Sequence, residues 1–157
     1  MLVYRITHKI YSKQLFASGL EGRWNGDGKK VIYTAGSVAL AFLENMIRRQ
    51  GVGFNSDFKT MIIEIPDDLK IQVIKNENLA AGWREFTDYS KCQPLGNAWF
   101  DKGEKPVLKV PSAVLPEEFN YVINAAHPDF KKIKLVETTE LIPDERIEDI
   151  LKNYSKK

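Results

Sequence analysis

Val31-Ile-Tyr-Thr-Ala-Gly-Ser-Val-Ala-Leu-Ala-Phe-Leu-Glu-Asn-Met-Ile-Arg-Arg-Gln50 reads as a strand, a turn and a helix. Lys30 to Ala35 alternates and carries Val31, Ile32, Tyr33 and Thr34, the β-branched and aromatic residues that suit a pleated surface. Ser37 caps the helix that follows, and Gly51 is placed to end it. Val38, Leu40, Phe42, Leu43, Met46 and Ile47 cover most of the helix circumference. The helix is therefore predicted to be largely buried and central.

Outward from this unit the elements do not alternate strictly as strand and helix. Leu2 to Ile6 reads as a short strand. Residues 8 to 28 follow without a clean period; they hold Gly19, Gly22, Gly26 and Gly28 and end in the turn Gly26-Asp27-Gly28. A loop this long inside a compact domain is often functional. Phe58 to Ile65 is a strand closed by Pro66, and Ile71 to Ile74 a candidate for another. Trp83 to Phe100 reads as helical in part, with Pro94 interrupting it. Val107 to Val110 and Phe119 to Ile123 read as strands. Asp144 to Tyr154 reads as a terminal helix with Ile147, Ile150 and Leu151 on one face. Five or six strands and three helices in this order predict an α+β fold with a mixed or antiparallel sheet.

The chain has 157 residues, the size of one domain, spanning 1–157 without repeat or linker. A domain of this size buries roughly two-thirds of its unfolded surface, so it can fold unaided. Lys and Arg number 23 against 21 Asp and Glu, a net charge of +2, which excludes a strongly basic nucleic-acid binder. One cysteine, Cys92, excludes an internal disulfide, and two histidines, His8 and His127, leave little for a zinc site; no metal is expected. No stretch approaches about 18 apolar residues, and Met1-Leu-Val-Tyr-Arg-Ile lacks the order of a signal peptide, so a cytoplasmic protein is expected. Rossmann, P-loop, nucleophile-elbow and zincin motifs are all absent from the sequence.

Four segments carry polar groups that a plain core would not need. In Gly22-Arg23-Trp24-Asn25 the arginine fork can reach a phosphate, glycine lets backbone approach, and the indole can wall a site. The same residues also read as a surface arginine packed on an exposed tryptophan. Tyr33 reads equally as a half-buried strand residue with its hydroxyl at the rim. Glu44 stands at the edge of an apolar helix face, which costs free energy unless it is paired, with Arg48 for example, or used. Finally, Val110-Pro-Ser-Ala-Val114, Asn120-Tyr-Val-Ile-Asn124 and Ala126-His127-Pro128 place Ser112, two asparagines and a histidine where turn chemistry alone would also put them.

Taken together, these segments resemble the RES domain, the toxin half of a bacterial toxin–antitoxin pair. The matching text is Gly22-Arg-Trp-Asn25, Val31-Ile-Tyr-Thr-Ala35, Ala39-Leu-Ala-Phe-Leu-Glu44, Val110-Pro-Ser-Ala-Val114 and Asn120 to Phe130, in order from Tyr4. Two departures stand out: Glu21 precedes Gly22 where the family often has a glycine pair, and the segment after Phe130 matches poorly, leaving 131–157 as an extension with the terminal helix. The resemblance implies Arg23, Glu44 and Ser112 as catalytic residues. It implies Arg23, Tyr33, Trp24, Asn25, Asn124 and His127 as substrate-binding residues. It further implies a fold similar to ADP-ribosyltransferase toxins, NAD as substrate rather than cofactor, and phosphate as a possible co-substrate. The partner it implies is a helix-turn-helix antitoxin of Xre type that covers the active site and supplies any DNA contact.

On that reading the nicotinamide–ribose bond breaks through an oxocarbenium-like transition state. Arg23 would clamp the pyrophosphate, Tyr33 stack on nicotinamide, Glu44 stabilise the ribosyl cation, and Ser112 bond the nicotinamide amide or a phosphate. Two other readings stay open: a protein ADP-ribosyltransferase, and a non-enzymatic binding module that keeps the fold.

Overall fold

Alternation along Val31–Ala35 sends Ile32 to one core and Val31 and Tyr33 to another, on opposite faces of a sheet. That strand lies fourth in a seven-stranded mixed sheet, and the computed structural model describes residues 1–50 and 56–154. The elements in chain order are β1 (Leu2–His8), β2 (Val31–Ala35), α1 (Val38–Arg48), β3 (Phe58–Glu64), β4 (Ile71–Val73), α2 (Gln93–Lys102), β5 (Val107–Pro111), β6 (Phe119–Asn124), β7 (Lys134–Glu140) and α3 (Glu145–Tyr154). Across the sheet the order is β4-β5-β6-β2-β1-β3-β7. Only β4 and β5 pair in parallel; every other pair is antiparallel. The architecture is the expected α+β domain.

One face of the sheet carries Val3, Ile32, Met61, Ile63, Val107 and Ile123, covered by Leu15, Ala17, Leu69 and Ile133 from the loops. The other face is divided. Near β5 and β6, Leu108, Val110 and Val122 pack under Trp24, Trp83, Cys92 and Trp99. Near β1 and β3, Ile6, Ala35 and Phe58 pack under Leu40 and Ala41 of α1. Between the two clusters β1 and β2 share a single registered pair, Tyr4 with Ala35. By contrast β1 pairs with β3 along seven positions.

Helix α1 starts where expected: the Ser37 hydroxyl accepts from Leu40 N–H at 3.1 Å. It is less buried than its composition implies. Leu40 and Ala41 are buried, whereas Val38 and Ile47 are each 43% exposed, because the helix lies on one sheet face and not between layers. Its end also differs: Arg49 is the C-cap and Gln50 takes a left-handed φ of 52°, while Gly51 lies outside the described residues.

Two further differences have local causes. Pro94 does not interrupt a helix; it stands in the first turn of α2, where its missing N–H has no partner to lose. Residues 83–92 ahead of it are irregular. Strand β7 was not legible, because Lys-Leu-Val-Glu-Thr-Thr-Glu is mostly exposed on an edge and shows no burial pattern. Its existence rests on pairing with β3, with a register shift between Ile62 and Ile63.

Helix α2 approaches the 22–26 loop through Gly96. A Cβ there would sit 1.9 Å from the Trp24 carbonyl oxygen and 2.9 Å from its Cα, both backbone atoms that cannot step aside alone. Gly96→Ala is expected to destabilise the protein by about 3 kcal/mol, at the upper end of overpacking costs. Urea unfolding measures this; a loss under about 0.5 kcal/mol, the range of a neutral surface change, would show that α2 is free to withdraw.

Candidate active site

Gly22 and Asn25 bond each other's backbone, at 2.9 Å and 3.3 Å, so Arg23 and Trp24 form the tip of a tight turn. Trp24 goes inward: it is 3% exposed and lies 6.4 Å from Trp83. Asn25 is fully buried, and its amide donates to the carbonyls of Leu20, Gly26 and Lys29. The Tyr33 hydroxyl donates to Asn25 Oδ1 at 2.6 Å and accepts from Trp24 N–H at 2.9 Å. This contact is why residue 22 is glycine: a Cβ there would meet Tyr33 Oη at 2.6 Å. Trp24 and Asn25 thus build the turn from within.

Arg23 points sideways. Its guanidinium donates to the Trp83 and Glu85 carbonyls, the latter at 2.9 Å, and lies 5.0 Å from the centre of the Tyr89 ring. Two residues that sequence reasoning missed hold this turn from α2. Gln93 donates to the Gly22 and Asn25 carbonyls, and Asn97 Oδ1 accepts from Gly26 N–H at 2.7 Å. They stand four apart on one helix face, a spacing that could have flagged them.

Just beyond β5, the Ser112 hydroxyl donates to Glu44 Oε1 at 2.6 Å. Ser112 is fully buried at the end of β5, and Glu44 is half-buried on α1. The carboxylate is therefore held by serine, and it forms no ion pair with Arg48 one turn away. Neighbouring Asn45 donates to the Ile6 carbonyl at 2.7 Å, tying α1 to β1.

Arg5 was not singled out from sequence, and Arg48 only as a partner for Glu44. Arg5 is half-buried on β1, and burial, with the like charge of Arg48 nearby, lowers its pKa. Among the described residues Arg5, Arg23 and Arg48 have no carboxylate partner. Burial pushes the Tyr33 phenol well above its ordinary range, and the opposing pull of Arg48 and Arg23 is smaller. The phenol is neutral, and its hydroxyl is committed to the turn.

Asn124 and His127 stand apart from this group. They lie at the far end of β6, where Asn124 accepts from Ala126 N–H at 2.9 Å and His127 Nδ1 from Asp129 N–H at 3.0 Å. Ser112 follows Pro111, which pairs with Phe119 at the opposite end, roughly 15 Å away at strand rise. The structure pairs Ser112 with Glu44, ties Arg23 and Tyr33 to the 22–25 turn and its neighbours, and leaves Asn124 and His127 in turns of their own. Among the described residues, no three His, Cys, Asp or Glu side chains group as metal ligands. Cys92 is fully buried, and burial raises its thiol pKa.

Tyr33→Phe would leave Asn25 Oδ1 and Trp24 N–H unpaired, a cost of about 1–3 kcal/mol at neutral pH. The native phenol holds its proton more tightly than the unfolded chain does. Its contribution to stability is thus complete below about pH 10 and is lost as pH rises further. Denaturant unfolding at pH 7.5 and 10.5 should show wild type losing more stability over that interval than Tyr33→Phe. Equal losses would mean that Tyr33 titrates as in the unfolded chain.

Known proteins resemble this chain along most of its length. The RES domain family matches residues 2–145, past Phe130 and through β7. The chain is 34% identical to the Prs ADP-ribosylating toxin of Sphingobium sp. (strain YBL2), over 80% of each chain. It is 32% identical to Toxin Res of Yersinia enterocolitica, over 83% of this chain and 88% of that one. It is 30% identical to Toxin Res of Photorhabdus laumondii, over 84% and 86%. With a family match that leaves only Met1 and the last twelve residues outside, the chain belongs to the RES domain family.

Proposed function

We propose that this protein is the toxin of a bacterial toxin–antitoxin pair and that it consumes NAD at the nicotinamide–ribose bond. The observation that carries the reading is the part-buried Ser112–Glu44 bond of 2.6 Å, which holds a carboxylate by a neutral donor. The names of the relatives support the toxin assignment.

The residues divide the work by charge. Arg23 has five N–H groups and uses two on carbonyls, which leaves three for a pyrophosphate oxygen. Arg48, whose charge acts on Tyr33, adds positive charge for the same dianion. Tyr33 offers its ring to nicotinamide, since its hydroxyl is occupied. Glu44 spends one oxygen on Ser112; the other is left for the ribose hydroxyls and faces the positive charge that develops at C1′. The C1′–N bond breaks with its electron pair going to nicotinamide, which departs neutral. An acceptor, either water or phosphate, forms the new bond to C1′ and releases its proton to solvent.

A second reading, transfer of ADP-ribose to a protein, is favoured by the name of the Sphingobium relative. For both, the partner is a helix-turn-helix antitoxin of Xre type that covers the cleft. A net charge of +2 leaves DNA contact to that partner. Among the described residues no helix is long and apolar enough to cross a membrane, and the site of action proposed is the cytoplasm.

Purified protein incubated with NAD, with and without phosphate and with cell extract, separates the readings. Loss of NAD without extract is hydrolysis or, if phosphate is required, phosphorolysis. Label carried from NAD onto an extract protein is ADP-ribosylation. No binding and no turnover would leave a non-enzymatic module. Within an active enzyme, Glu44→Gln is expected to lower kcat by about a hundredfold or more, and Arg23→Ala to raise KM by about tenfold, both remaining folded by circular dichroism. Wild-type NAD loss in both variants would remove these residues from the site.

A further inference from the structure

Two arginine forks meet on one short segment. Arg23 holds the carbonyls of Trp83 and Glu85. Arg84, between them, turns the other way: its Nε donates to the Ala113 carbonyl at 2.8 Å and its Nη2 to the Val114 carbonyl at 3.2 Å. Those carbonyls belong to the turn that follows Ser112.

The same two peptide units grip Ser112 from their other side. Val114 N–H and Leu115 N–H each donate to Ser112 Oγ at 3.1 Å. The Ala113 carbonyl and the Val114 N–H are one planar peptide unit; the Val114 carbonyl and the Leu115 N–H are the next. A serine hydroxyl has one proton and two lone pairs. Both lone pairs receive these amides, so the proton has one direction left, toward Glu44 Oε1. The tilt of the two peptide planes therefore sets where the Ser112 proton points, and Arg84 sets the tilt. A charged donor on each carbonyl also polarises the amide at its other end.

We propose that Arg84 is a positioning residue that aims the Ser112 hydroxyl at Glu44 through the 113–114 and 114–115 peptide units. Its catalytic consequence rests on the proposed role of Glu44. Arg84 is exposed, so its replacement leaves the core intact. Lysine keeps the charge but lacks the planar fork, so Arg84→Lys falls with Arg84→Ala and not with wild type.

The test compares wild type, Arg84→Ala and Arg84→Lys in two measurements. Amide hydrogen exchange does not depend on any substrate: exchange at Val114 and Leu115 should rise about tenfold or more in both variants, while Val110 and Val122 in β5 and β6 stay protected. In NAD turnover, kcat should fall about tenfold with KM within about twofold, and added guanidinium should restore part of the Arg84→Ala rate but none of a Ser112→Ala rate. Unchanged exchange at Val114 and Leu115 overturns the proposal. So does an active enzyme whose kcat is unchanged in Arg84→Ala, or one in which guanidinium rescues Ser112→Ala equally. A wild type that leaves NAD untouched overturns the functional reading instead, and the exchange measurement then decides the role of Arg84 alone.

Discussion

The Tyr33 hydroxyl is the point on which the site hangs. By donating to Asn25 and accepting from Trp24 it fastens an irregular glycine-containing loop to the middle strand of the sheet. Everything local to the cleft follows from that bond. It requires glycine at 22, it buries Trp24 against Trp83, and it leaves Arg23 pointing sideways toward the 83–89 segment. Without it the Asn25 Oδ1 and the Trp24 N–H would lack partners, which the fold tolerates only at a cost.

Charge is distributed in a complementary way. Glu44 is held by a neutral serine, not neutralised by a cation, so its negative charge remains available. Nearby arginines are spent on carbonyls or left without carboxylates. An enzyme that stabilises a ribosyl cation while gripping a pyrophosphate needs both conditions at once, and direct Arg–Glu pairing would cancel them. The resulting arrangement keeps the Glu44 carboxylate bonded to a neutral hydroxyl and leaves Arg23 bonded to main-chain carbonyls.

Much of this was visible in the residues. Strand periodicity placed β2, β3, β5 and β6, and a capping serine placed the start of α1, because these signals act over a few residues. The polar positions Arg23, Tyr33, Glu44 and Ser112 stood out as costly or unneeded in a plain core. Strand β7 was hidden because an exposed edge strand has no buried face to betray it. Gln93, Asn97 and Arg84 were hidden because their partners are main-chain atoms of distant segments, which leave no mark on the side-chain pattern.

Residue types and their order settled the class of fold, the family, and which polar groups were candidates, since each depends on local pattern. The roles of those groups came from long-range packing. Glu44 pairs with Ser112 and not Arg48 because β5 ends beside α1, although β3, β4 and α2 separate them along the chain. Asn124 and His127 end up in turns at the other end of β6 from Ser112 because an extended chain carries them roughly 15 Å away. Sequence proximity measures distance along the chain; a hydrogen bond is decided by where the sheet brings the ends together.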